Sequence, residues 1–77
     1  MRHESFDKAI DEFAIAMKQK MAAKASCGWR GWNSGDYRQA FQEALLRHVV
    51  DGDPVDVANY AMFLWNLNSP TYPKSDL

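Results

Sequence analysis

The sequence predicts an all-α domain of three helices, on three observations. Apolar residues Phe6, Ile10, Phe13, Met17 and Met21 recur at spacings of four, three, four and four, which draws a stripe on one helix face. A stretch rich in glycine and tryptophan, Ala25 to Asp36, interrupts that periodicity. Further on, Asp51-Gly52-Asp53-Pro54 reads as the end of one helix and the start of another. The expected helices run over about 5–24, 35–51 and 54–67, in a single domain spanning 1–77.

The first helix takes Ser5 as its N-cap. Asp7, Asp11 and Glu12 lie toward its start and Lys18, Lys20 and Lys24 toward its end, as the helix dipole favours. Ile15, off the stripe, and its neighbours Ala14 and Ala16 widen the apolar face for a partner chain. The connection that follows holds three of the four glycines and two of the three tryptophans, so no regular element runs through it. Two readings of Trp29 and Trp32 stand side by side. They fold back as lids over a small core, or they form a stacking platform for a nucleotide base with Arg30 on a phosphate.

The second helix is capped by Ser34 or Asp36 and turns Tyr37, Ala40, Phe41, Ala44, Leu45 and Val49 to one face. His48 falls on that stripe, as a core histidine held by one hydrogen bond or as a metal or phosphate ligand. Gly52 supplies the left-handed residue that stops this helix. Asp53 then caps the third, with Pro54 at its first position, and the Asp53 to Asp56 spacing resembles a capping box. So short a loop makes the two helices a hairpin.

On the third helix, Val57, Ala58, Ala61, Leu64 and Trp65 centre one face, and Tyr60, Phe63 and Leu67 form a second apolar strip beside Asp56. A helix apolar on most of its circumference should be buried on most of it, and two other helices are too few to cover it. A homo-oligomer, dimer or higher, built as a helical bundle is therefore expected. Pro70 and Pro73 end the helical pattern, leaving 68–77 as an extended or flexible tail.

Composition narrows the function classes. Nine Lys and Arg against ten Asp and Glu give a net charge of -1, which supplies no footprint for a phosphate backbone, so no nucleic-acid partner is expected. No apolar run is long enough for a signal peptide or a membrane span, and Cys27 is the single cysteine. The expected location is the cytoplasm.

The run Asp56-Val57-Ala58-Asn59-Tyr60-Ala61-Met62 resembles the Asp-Val-Ala-Asn-Phe-Ala-Met signature in the last core helix of MazG-like all-α nucleotide pyrophosphohydrolases, particularly small phage-encoded ones. Phe13 to Lys24 resembles the helix that precedes a Lys-Gly-Gly-Trp-type loop in that family, and Gly28-Trp29-Arg30-Gly31-Trp32 is similar to the loop. Such an origin implies a host cytoplasm.

The resemblance implies two acidic pairs, Glu-x-x-Glu on one helix and Glu-x-x-Asp on the next, holding magnesium between a nucleoside triphosphate and the attacking water. A hard dication needs several oxygen ligands, and positions three apart share a helix face. Asp56 matches the second aspartate, Asn59 the asparagine one turn later, and Asp53 stands at the glutamate position. The first pair departs from the pattern, because Ala44 and Arg47 occupy its positions and Glu43 is the nearest acid. Arg47 opposite Asp53 and Asp56 would repel magnesium and could form a salt bridge with them.

The leading expectation is thus a non-catalytic relative that binds a nucleotide or a host protein, with inhibition of a host enzyme or defence system as one role. The alternative is a magnesium-dependent nucleoside triphosphate pyrophosphohydrolase. There Asp53, Asp56 and Glu43 would hold metal, Arg30 or Arg47 phosphate, and Trp29 or Trp32 the base, with Asn59 and His48 as further ligand-binding candidates. A purely structural or assembly module is a third reading.

Overall fold

A computed structural model describes residues 5–28 and 31–72. Among them are three α-helices and no strand: α1 (Ser5–Ser26), α2 (Arg38–Asp51) and α3 (Pro54–Asn66), with a single 3-10 turn, Gly35–Tyr37, leading into α2. The all-α, three-helix expectation holds. No helix is long and apolar enough to cross a membrane among the described residues.

Boundaries differ from the sequence expectation where local hydrogen bonds decide them. Ser5 is already helical. At the other end α1 runs to Ser26, whose hydroxyl donates to the Ala23 carbonyl at 2.9 Å, and Gly28 then takes φ +87° and turns the chain. Ser34, rather than Asp36, is the cap before α2, with its hydroxyl accepting from the Asp36 N–H at 3.3 Å. That bond closes a 3-10 turn, so the α-helix proper begins three residues later than expected.

The turn between α2 and α3 is as its residues dictate. Gly52, at φ +94°, donates its N–H to the His48 carbonyl at 2.9 Å and closes α2. Asp53 then caps α3 by accepting from the Val55 N–H at 3.0 Å. Asp56 does not complete a capping box, because its carboxylate is turned to Lys20 of α1.

The core is made by the α2–α3 hairpin. Phe41 and Leu45 from α2 meet Phe63 and Leu64 from α3, with Leu67 just beyond, and all five are buried. Phe63 is the hub, with ring centroids 5.1 Å from Phe41, 5.4 Å from Trp32 and 5.5 Å from Tyr60. Of the two apolar strips expected on α3, the one with Tyr60, Phe63 and Leu67 faces this core. The other is covered only in part: Leu64 is fully buried, but Trp65 is 77% exposed. Tyr37 and Val49, placed by the sequence on the inner face of α2, are also exposed.

Among the described residues the backbone of α1 runs close to α3 and not to α2. None of its residues is buried. Met21 reaches the core from its C-terminal half.

The first residues of the tail are tied to the helices. Asn68 takes the left-handed conformation at φ 55°, and the Ser69 N–H donates to the Leu64 carbonyl at 2.9 Å, so α3 ends in a Schellman turn. Arg38 Nε donates to the Leu67 carbonyl at 2.9 Å, and Gln42 Nε2 donates to Ser69 Oγ and to the Pro70 carbonyl, each at 3.1 Å. These bonds explain why Gln42 is buried although polar. Pro73 lies outside the described residues.

Candidate functional site

Asp53 and Asp56 come together at the N-terminus of α3 because one caps the helix and the other lies in its first turn, just under a full turn away. Two acids there suit the helix dipole. Lys20, from the middle of α1, sets its ammonium between them. Its Nζ lies 2.9 Å from Asp53 Oδ2 and 3.2 Å from each carboxylate oxygen of Asp56. One cation thus bridges two carboxylates and ties α1 to α3.

The ionisations reflect that geometry. The hydrogen bond from Lys20, with the Val55 N–H second, holds the Asp53 carboxyl below its ordinary value of 3.8. Hydrogen bonds to Asp53 and then Asp56 hold the Lys20 ammonium above its ordinary 10.5. From α2, His48 completes the rim. Its ring stacks on Tyr60 with centroids 5.0 Å apart, and Nδ1 lies 3.7 Å from Asp56 Oδ2, where the imidazole adds charge only when protonated. His48 is therefore half-buried at the site, between Tyr60 and Asp56.

The other candidates do not converge here. Glu43 stands on the exposed side of α2 and accepts from Gln39 Nε2 at 3.3 Å, so it is not a third acid beside Asp53 and Asp56. Among the described residues no group of three or more His, Cys, Asp and Glu is placed to hold a metal ion. Arg47, expected opposite the two aspartates, is exposed and lines a hollow with Leu46, Val50 and Asp51 instead. The cation that faces the aspartates comes from α1. Trp32 is half-buried and stacked on Phe63, which is the lid reading of that residue. Trp29 and Arg30 lie outside the described residues.

Lys20 is the residue that sequence reasoning missed. A signal for it existed, since it follows Phe13 by seven residues and Met17 by three and so shares their face of α1. Explaining the lysines by the helix dipole hid that placement.

Asn59 is the other unusual group. It is 1% exposed, with Nδ2 donating to the Met17 carbonyl of α1 at 3.4 Å, while its Oδ1 is buried without a hydrogen-bond partner. A buried acceptor left so costs about 1–3 kcal/mol. Beside it, between α1 and α3, opens a largely apolar cavity of about 470 Å³ lined by Ala14, Met17, Met21 and Met62 among others. A second cavity, of about 580 Å³, opens on Lys20 and Asp56 and is bounded by Ala23, Lys24, Cys27 and Gly28.

Two acids closed by an ammonium can hold an ion pair, order α1 against α3 and present a polar edge to a ligand in the larger cavity. Binding a dication would require Lys20 to leave, because its ammonium already occupies the space between the carboxylates. No family model, curated protein or solved structure matches this chain.

Proposed function

We propose that this chain is a MazG-like helical module that acts without catalysis, by binding, and that it does so as a homo-oligomer. The observation that carries the reading is Lys20 bridging Asp53 and Asp56, where the resemblance would put magnesium. A hydrolytic phosphoryl site ordinarily gathers more carboxylates than two and leaves them open to the metal. Here an ammonium already lies between the two carboxylates and Glu43 points elsewhere.

The ligand in this reading is a nucleotide seated in the cavity beside Lys20 and Lys24, or a host protein whose enzyme or defence activity is blocked. The location that goes with it is the cytoplasm of the host. Titration calorimetry of nucleoside triphosphates with and without magnesium, paired with a pyrophosphate-release assay, tests the proposal. The expected result is no pyrophosphate release under any condition, with any binding heat indifferent to magnesium. Magnesium-dependent turnover that Asp56→Ala abolishes would overturn it in favour of a pyrophosphohydrolase.

A further inference from the structure

Asn59 is an unexpected residue for its place. α3 faces α1 there, and an apolar side chain would fill a 1% exposed position without the desolvation that an amide suffers. The amide makes one hydrogen bond, from Nδ2 to the Met17 carbonyl at 3.4 Å, and Oδ1 has no partner among the described residues. A backbone carbonyl can only accept. Turning the amide over would set oxygen against oxygen, so Oδ1 is the acceptor left open.

Asn59 is also part of a wall. The cavity of about 470 Å³ between α1 and α3 is bounded on one side by Ala14, Met17, Met21 and Ala22, which share a face of α1, and on the other by Asn59 and Met62. Small-molecule sites occupy roughly 300–1,000 Å³ and are apolar, with a few polar groups that fix the ligand's orientation. Asn59 is the one buried polar residue of this wall, since Lys18, also on it, is exposed. Three of the chain's four methionines gather here. Methionine is unbranched and polarizable, so it repacks around an aliphatic or aromatic guest at small cost. Oδ1 is closed to bulk water, and a guest reaches it by moving these side chains or α1, a helix with no buried residue of its own.

We infer that the crevice between α1 and α3 binds a small apolar molecule bearing a single N–H or O–H donor. The donor group meets Asn59 Oδ1, and the apolar body lies among Met17, Met21 and Met62. Such a guest removes the cost of the open acceptor and covers the methionines in the same step. This cavity is not the one beside Lys20 and Lys24, so the inference stands apart from the nucleotide reading.

Titration of indole and of benzofuran into the full chain, followed by NMR of 13C-labelled methionine methyl groups, tests it. The two probes have nearly the same shape, but benzofuran carries an oxygen where indole carries its N–H. The expected result is saturable binding of indole that shifts the Met17, Met21 and Met62 methyls, with benzofuran at least about fivefold weaker because it leaves Oδ1 unpaired. In Asn59→Leu, with its helix content checked by circular dichroism, the preference for indole should disappear. The comparison of the two probes on the unaltered chain stands without that variant. Absence of saturation up to the solubility of indole, equal affinities for both probes, shifts that spare the three methionines, or a preference that survives in Asn59→Leu would each overturn the inference.

Discussion

The hairpin of α2 and α3 and the helix α1 are joined in one small domain on different physical terms. Nearly all of the buried side chains sit in the hairpin, where Phe41, Leu45, Phe63, Leu64 and Leu67 close on one another. α1 has none. It is attached through Met21, the long hydrogen bond from Asn59 to the Met17 carbonyl and the bridge of Lys20 to two aspartates. The hairpin is held by exclusion of water, and α1 by a few half-buried side chains together with exposed or long polar bonds. Such an element lies at the low end of a molecule's stability range and is the one a ligand or partner can most readily move.

Side-chain truncation should have very different costs in the two regions. Phe63→Ala removes the ring on which Phe41, Trp32 and Tyr60 converge and should cost about 3–5 kcal/mol in urea denaturation. Ile15→Ala, on an exposed residue of α1 off the apolar stripe, should stay within about 0.5 kcal/mol. Comparable losses at the two positions would mean that α1 belongs to the same cooperative core.

The junction itself comes next. Asn59→Asp places a charge at a 1% exposed position whose oxygen already lacks a donor, and should destabilise by about 3 kcal/mol or more near neutral pH. Asn59→Leu discards the orphaned acceptor together with a bond that is only a long one, and its cost in urea denaturation should be under about 1.5 kcal/mol. If leucine proved as damaging as aspartate, the asparagine amide would be holding α1 in place far more strongly than its 3.4 Å bond implies.

How much of this was legible depended on whether the cause was local. The stop at Gly52 and the start at Asp53-Pro54 depend on backbone conformations that the neighbouring residues set, so the hairpin could be read from the sequence. The 3-10 turn after Ser34 was the exception, because a hydroxyl bond two residues long gives no periodic signal. The anchoring of the tail has a non-local cause: Gln42, 27 and 28 residues away, reaches Ser69 and Pro70. The candidate site divided in the same way. Asp53 and Asp56 share a helix face by spacing alone, but their partner comes from 33 and 36 residues upstream. Periodicity does not say which of two helices lies opposite α3. Arg47 of α2 and Lys20 of α1 were equally eligible until packing chose.

That choice leads to the smallest effect on overall stability and the most specific one on α1. Lys20 and Asp53 are substantially exposed, and exposed ion pairs contribute little, so Lys20→Met should move the denaturation midpoint only slightly. Amide hydrogen exchange should respond more, with the half of α1 around Met17 and Met21 exchanging faster while Phe41 to Leu45 and Phe63 to Leu67 keep their protection. Acid does the same thing without mutation. Because the folded Asp53 carboxyl is held below 3.8, the unfolded chain takes up its proton first, so this contribution is present above that pH and is lost as pH falls through the lowered value. Lys20, held above 10.5, gives the mirror case, with stabilisation present below that pH and lost as pH rises through the raised value. The two limits predict a plateau in α1 exchange protection, corrected for intrinsic rates, between them. In Lys20→Met the acid edge should shift toward ordinary carboxylate values, since the main cause of the Asp53 depression is gone. An unshifted edge would assign that depression to the Val55 N–H and the helix terminus, and would leave the ion pair as a consequence of α1 docking and not its cause.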